Sequence, residues 1–226
     1  MKIIDLSTEF RNRMPKPPSG PAVQMKYVLT PSREEEGSRG FTNKMEQFVI
    51  TTHVATHIDA PSHFAFDGKN IDDYPAEFFY MVPTLLLHIP KEPYGEISEE
   101  DIKEAEKECG EVREGDLVIL HTGACSRYED VQYMESPYLN KEAAEYLANK
   151  KISMVGTDSF TVDDPRRGEK PAHVEFLCKN GILVIECIMN LEEITAHRFR
   201  SICLPLKIKE GSGGFTRMIA VIEEGQ

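Results

Sequence analysis

The segment His53-Val-Ala-Thr-His57-Ile-Asp59-Ala-Pro61-Ser-His63 brings three histidines and one aspartate into eleven residues. Neutral imidazole nitrogens and carboxylate oxygens are the usual protein ligands of zinc, manganese and iron. A single histidine is more often a surface residue or a satisfied core residue, but this coincidence of ligand types favours a metal site. No glutamate follows His53, so the segment is not the HExxH motif of metalloproteases.

The backbone path of this segment is restricted by its own residues. In a straight strand His53, His57 and Asp59 share one face, but Cα atoms four residues apart lie roughly 13 Å from each other, which is unfavourable for one ion. In a helix His53 and His57 are neighbours while Asp59 points away, and Pro61 disfavours helix at the residue before it. A bent passage from strand to loop remains, with all three side chains inward and His63 a turn further on.

The rest of the chain mixes strands and a few helices without strict βαβ alternation, which favours one α/β domain with a mixed sheet. Its 226 residues suit one compact domain over 1–226, or at most two small ones, and no clean linker divides them. Strands are predicted over 3–6, 44–52, 81–89, 116–122, 153–156 and 182–188. Helices are predicted over 99–109, 141–150 and 172–179. Strands over 201–208 and 216–222 are expected to pair across a turn at Gly211–Gly214.

An irregular arm occupies about residues 11–40. It contains five prolines and the acidic run Glu34–Glu36, with room for one strand near Met25–Leu29. Long loops in compact domains are often functional lids or partner contacts, although a plain surface loop fits this composition equally well.

Composition excludes several classes of function. The formal net charge of −12 argues against nucleic-acid binding and against docking on anionic membranes. The five cysteines include no CxxC pair, which argues against a disulfide framework or a zinc knuckle and fits a reducing cytoplasm. The N-terminus lacks the apolar region of a signal peptide, and the apolar runs are too short to span a bilayer. We therefore expect a soluble, cytoplasmic protein.

The sequence resembles the putative cyclase family of metal-dependent hydrolases, which includes bacterial kynurenine formamidase and isatin hydrolase. The family signature is His-x-Gly-Thr-His-x-Asp-x-Pro-x-His, and residues 53–63 match it except at Ala55. Weaker similarities follow in order at 67–72, 115–123, 156–158 and 204–208. The resemblance, which runs from about residue 44 to 222, implies the swivelling β/β/α cyclase fold with a barrel-like sheet flanked by helices.

The resemblance also implies roles for the histidine-rich segment. It implies that His53, His57 and Asp59 bind metal and that His63 is the catalytic acid/base. The expected cofactor is a divalent metal, zinc or manganese, with one or two ions per chain. The dimers typical of the family predict a homodimer or higher homo-oligomer, with the arm reaching the partner.

A distant His and Glu complete the site in binuclear members of the family, and the matching positions here are His173 and Glu186. The interval between them is one residue longer than the usual family spacing, which leaves Glu175 as a rival carboxylate. Glu186 ends an apolar run, where a carboxylate needs a metal ion or an arginine to offset its desolvation. At Ala55, an alanine is strained if the family glycine needs a positive φ.

These ligands predict hydrolysis of a small amide, aryl formamide or lactam by an arylformamidase-like enzyme, with an activated water as the nucleophile. The alternative is a non-catalytic small-molecule or metal-binding protein with a degenerate site. A thiol- or serine-based hydrolase is disfavoured because the chain has no Gly-x-Ser-x-Gly elbow and no similar cysteine signature. Of the other histidines, His88 and His121 are interpreted as core or strand-face residues and His197 as a surface residue. Asp158 is assigned either to the site or to a turn.

Overall fold

The structure is a computed structural model that describes residues 1–16, 20–31 and 42–223. Within these residues the strands are β1 (Lys2–Asp5), β2 (Gln24–Pro31), β3 (Thr42–Val49), β4 (His57–Asp59), β5 (Val82–His88), β6 (Glu96–Ile97), β7 (Leu117–His121), β8 (Tyr138–Leu139), β9 (Met154–Thr157), β10 (Leu183–Glu186), β11 (Arg198–Ile202), β12 (Gly213–Phe215) and β13 (Ile219–Ile222). The α-helices are α1 (Glu99–Cys109), α2 (Lys141–Asn149) and α3 (Pro171–His173).

A nine-stranded mixed sheet forms the centre of the fold, in the order β1-β13-β11-β5-β7-β9-β10-β4-β12. Strands β5, β7, β9 and β10 run parallel, and the strands on either side of them pair antiparallel. The parallel strands are continuous apolar runs because both of their faces are covered. Leu85 and Leu87 belong to the core under the helices, whereas Leu86 belongs to the core on the opposite face. The predicted α/β class with a mixed sheet and flanking helices is confirmed.

Helices α1 and α2 match the predicted ranges 99–109 and 141–150 to within one residue, and each begins after a capping side chain. The Ser98 side chain accepts a hydrogen bond from the backbone of Asp101, whose carboxylate bonds back to Ser98 in a capping box. Asn140 caps α2 in the same manner, through the backbone N–H of Ala143. In the described part of the chain, no helix is long and apolar enough to cross a membrane.

The third predicted helix differs from a regular α-helix. One α-helical turn, α3, continues as a π-helix over Val174–Asn180, and Gly181 ends it in the left-handed conformation. A π-helix takes more residues per turn because its hydrogen bonds run from i to i+5. A π-helix in this interval is compatible with the longer spacing between His173 and Glu186.

The predicted hairpin turn at Gly211–Gly214 is wrong. Strands β11 and β13 do pair, with Ser201 opposite Ala220, but Gly213 and Gly214 lie in β12 on the far edge of the sheet, beside β4. The reason is a close approach of backbones, since a Cβ atom on Gly213 would lie 2.6 Å from the carbonyl oxygen of Ile58. These glycines allow two strands to meet rather than a chain to reverse.

The predicted arm is more regular than expected. Strands β2 and β3 form an antiparallel two-stranded sheet from the pair Gln24–Val49 to the pair Pro31–Thr42. The strand predicted near Met25–Leu29 is thus longer than expected. The acidic run Glu34–Glu36 and residues 17–19 of the arm lie outside the described residues.

Candidate metal centre

The histidine-rich segment follows the bent path predicted for it. Residues 52–56 bend into β4, and a 3-10 helix over Pro61–His63 follows. Strand β4 lies between β10 and β12, which places His57 directly opposite Glu186 in the register. The Nε2 atom of His57 lies 3.2 Å from Oδ1 of Asp59 and 3.6 Å from Oε2 of Glu186. Residues that are distant in sequence therefore meet at one end of two neighbouring strands.

The bend before β4 delivers His53 and orients His57. His53 Nδ1 lies 2.7 Å from Oδ1 of Asp59, and its Nε2 lies 3.0 Å from the hydroxyl of Ser212. Ala55 has a φ of 56°, so the position of the family glycine does require the left-handed region. This conformation costs an L-residue roughly 1–2 kcal/mol. The carbonyl of Ala55 accepts a 2.8 Å hydrogen bond from Nδ1 of His57, which points Nε2 of that ring at the carboxylates.

His173 approaches the same carboxylates from the helical side. Its Nε2 lies 3.4 Å from Oδ2 of Asp59 and 3.3 Å from Oε1 of Glu186. Its Nδ1 donates to the carboxylate of Asp163, which also accepts from the backbone N–H groups of Ala172 and His173 at 2.8 and 3.2 Å. Sequence reasoning missed Asp163, because nothing in the Asp163-Asp164 pair marks which carboxylate turns inward.

The potential ligand atoms form two groups that share Asp59. One group is His53, His57 and Asp59, and the other is Asp59, His173 and Glu186, with the atoms of each group within 4.8 Å of one another. Glu175 is not a rival for this position, because its carboxylate binds Lys179 and Asn180.

The site fits a divalent cation on two observations. Among the described residues, Nε2 of His57 is buried without a hydrogen-bond partner, and it faces the carboxylates of Asp59 and Glu186. Burial opposes a charge on His57, but Asp59 and Glu186 outweigh it and raise the pKa of His57 to about 9. Two buried carboxylates thus attract positive charge to this place, and a divalent cation would offset their desolvation.

His63 lies at the edge of the ligand cluster rather than in either group. Its ring stacks on that of His53, with centroids 3.7 Å apart and an interplanar angle of 17°. Burial lowers the pKa of His63 to about 4, which keeps the imidazole neutral at physiological pH.

A cavity of about 560 Å³ opens in front of these side chains, within the range of small-molecule sites. Gly20 of the arm lies on its wall, so the arm borders the cavity. The wall combines histidines and carboxylates with aromatic and basic side chains, namely Thr51, His53, Asp59, His63, Phe64, Tyr94, Met134, Phe160, Thr161, Pro165, Arg166, Lys170, His173 and Glu186.

Asp158 has a turn role. Its carboxylate accepts hydrogen bonds from the backbone of Thr122 and Gly123 at 3.0 and 2.8 Å, and from the Thr122 hydroxyl at 2.7 Å. It holds the chain where β7 ends.

Comparison with known proteins gives one consistent result. The family model described as Putative cyclase matches residues 4–164. The kynurenine formamidase of Bacillus cereus is 27% identical over 216 residues, covering 96% of this chain and 95% of that protein. Isatin hydrolase A from Labrenzia aggregata, solved with benzyl benzoate, has a TM-score of 0.85 at 26% identity, covering 99% of this chain and 94% of that one. A predicted metal-dependent hydrolase from Bacillus stearothermophilus shares the fold, with a TM-score of 0.73 at 23% identity and 97% coverage of both chains.

Proposed function

The chain belongs to the putative cyclase family, and from that premise we propose that it is a metal-dependent hydrolase of C–N bonds other than peptide bonds. Its substrate is a small amide, aryl formamide or lactam. The cluster of His53, His57, Asp59, His173 and Glu186 beside a cavity carries this proposal. The kynurenine formamidase and isatin hydrolase relatives support the class of bond. We assign residues 1–226 to one domain of this kind.

These five side chains are the proposed metal ligands. Oδ1 of Asp59 lies near His53 and His57, whereas its Oδ2 lies near His173. If two ions bind, His53 and His57 would hold one and His173 and Glu186 the other, with Asp59 available to both. Imidazole suits zinc and carboxylate suits manganese, so the mixed ligand set favours one of these metals.

In the proposed mechanism the ion would activate the water and the carbonyl, and His63 transfers the proton. When bound, a divalent ion lowers the pKa of a water ligand toward neutrality and polarises a carbonyl. His63 is neutral and borders the cavity, so it accepts the proton of the attacking water and returns it to the leaving nitrogen. Phe64 and Phe160 offer apolar surface to an aryl group.

The non-catalytic alternative rested on two departures from the family pattern. Ala55 adopts the left-handed conformation that the motif glycine would supply. The π-helix after His173 is compatible with the longer interval to Glu186. Neither departure displaces a ligand, so no observation favours a degenerate site.

We also propose a cytoplasmic homodimer. The five cysteines are free thiols, which fits a reducing compartment. Strand β2 of the arm and its partner β3 present exposed apolar side chains, which suits a second copy of the chain. Gly20 of the arm borders the cavity.

The test combines elemental analysis with a substrate panel. The purified protein should carry zinc or manganese and hydrolyse at least one member of a panel of aryl formamides, amides, lactams and esters. His57→Ala should lose most of its bound metal while circular dichroism shows it folded. Full metal retention in that variant would reject the ligand assignment, and a metal-loaded wild type inactive on the whole panel would reject hydrolysis.

A further inference from the structure

Three imidazoles outside the candidate metal centre meet at one end of the central sheet. His88 ends β5 and His121 ends β7, and the two residues are paired in the register. His197 immediately precedes β11, and its carbonyl accepts the backbone N–H of Leu86 at 2.8 Å. Side chains alternate along a strand, so His88 lies on the same face as Leu86. The ends of three adjacent strands thus bring these rings together.

The distance between two of these rings, those of His88 and His121, matches that between ligands of one ion. The Nδ1 atoms of His88 and His121 are 3.1 Å apart. Two nitrogens that each bind zinc at about 2.0–2.1 Å lie roughly 2.8–3.4 Å from each other in octahedral or tetrahedral geometry. The ring of His197 stands at 81° to that of His88, with centroids 5.5 Å apart.

We propose that His88, His121 and His197 form a second, peripheral site for a divalent transition ion of the zinc, nickel or copper class. His88 and His121 supply two ligands in place, and His197, which is exposed, supplies the third by rotation of its side chain. Imidazole is a favoured ligand of all three metals. Burial and the neighbouring imidazoles lower the pKa of His88, so an ion need not displace a proton from it at neutral pH.

A rival grouping shares one of these histidines. His121, Cys125 and Asp158 already have potential ligand atoms within 4.8 Å of one another, whereas the three histidines reach such distances only after His197 rotates. However, the Asp158 carboxylate already accepts hydrogen bonds from the chain around Thr122. Burial raises the pKa of the Cys125 thiol to about 12, so the thiolate that a metal needs is scarce. The three histidines are therefore the better ligand set for an ion, because Asp158 and Cys125 are less available to bind one.

An ion held there would connect β11, β5 and β7. Because the ion would bind the folded state and not the unfolded state, the melting temperature would rise with increasing metal concentration. It would not take part in hydrolysis, because none of its ligands borders the catalytic cavity.

The test uses the enzyme without an affinity tag, with its main site loaded, titrated with Ni²⁺ alone. The wild type should bind one equivalent more than the double variant His88→Gln/His197→Gln, be retained on nickel resin, and melt at a higher temperature with Ni²⁺. Loss of ligands should weaken binding at least about 100-fold, since even groups that only orient ligands contribute 10–100-fold. Glu193→Gln, a change at an exposed residue four positions before His197, should behave as wild type.

Turnover of the double variant should equal that of the wild type, which separates this site from the catalytic one. His121→Gln is the second variant and should lose the same equivalent. Equal Ni²⁺ stoichiometry and equal resin retention in wild type and variants would overturn the proposal. So would a wild type that binds no Ni²⁺ beyond its main site, because the short contact would then be only a hydrogen bond between two histidines.

Discussion

The two ring nitrogens of His173 face different carboxylates. Nδ1 donates to Asp163, while Nε2 faces Asp59 and Glu186. A carboxylate behind a ligating imidazole fixes its tautomer and raises its basicity. Asp163 therefore contributes to the site through His173, without itself facing the proposed ion. We call this Asp163–His173 contact the relay.

Replacement of Asp163 should therefore weaken the metal site without removing a ligand. Asp163→Asn should lower metal affinity by about 10–100-fold, because the tautomer of His173 is no longer held. The neighbouring carboxylate gives a matched control, since Asp164 pairs with Arg166 and Arg167 instead. Competition titration with a chromophoric chelator measures both variants, and equal affinities in the two would contradict the relay.

If His63 is a proton shuttle and Glu186 is a ligand, replacing each should have a different effect on metal content and turnover. His63→Ala should keep its metal and lose turnover by roughly 10²–10⁴-fold, and added metal should not help. Glu186→Gln should bind metal weakly and regain some turnover in excess zinc or manganese. Metal content and turnover of both variants, with and without added metal, decide the point. A metal-free His63→Ala that recovers activity on metal addition would make His63 a ligand.

Residues within one short motif could be predicted as neighbours, whereas those joined only by the fold could not. The spacing of His53, His57 and Asp59 restricts the backbone enough to predict a bend. Glu186 could be predicted as a ligand from the family resemblance and from its place as a carboxylate at the end of an apolar run. Asp163 depends on the direction of a helix start, where Ala172 and His173 expose free N–H groups, and no local pattern reveals that.

At the scale of elements, β12 packs closely against β4, the strand that carries the proposed ligands His57 and Asp59. A Cβ atom on Gly213 would lie 2.6 Å from the carbonyl oxygen of Ile58 and 2.9 Å from Cε1 of His53. Gly213→Ala should cost about 1–3 kcal/mol of unfolding free energy, as overpacking does, and should weaken metal binding by displacing His53. Gly168→Ala is the control, because a Cβ atom there meets nothing within 4 Å. Urea unfolding and metal content report the two effects, and a Gly213→Ala protein as stable and as metal-rich as its control would contradict this packing.

Elements with strong local signals were predictable, and those decided by tertiary contact were not. Helix α1 carries its own start in Ser98 and its own stop in Gly110, so its bounds match the prediction. Strand β12 has three residues and two glycines, which read locally as a turn. Its strand conformation comes from pairing with β4, a partner more than 150 residues away.

At the scale of the whole molecule, the two-stranded sheet of β2 and β3 keeps one apolar face exposed among the residues that the structure describes. A two-stranded hairpin is marginally stable in water unless something packs against it. Val28 and Met45 are cross-strand partners, and Val49 shares their face by alternation. All three side chains are exposed. An apolar face on a protein of net charge −12 fits a second copy of the chain better than solvent.

Valine-to-glutamate changes at two positions test this dimer. Val49 is 52% exposed on the hairpin, and Val131 is 85% exposed elsewhere on the surface. Val49→Glu should raise the dimer dissociation constant at least about 30-fold, since an unpaired charge buried in an apolar interface costs 2 kcal/mol or more. Val131→Glu adds the same charge without touching the hairpin and should leave the dimer intact. Light scattering at micromolar concentration should give twice 25.6 kDa for the wild type and for Val131→Glu. A wild type of 25.6 kDa, or equal dissociation of the two variants, would remove the hairpin from the interface.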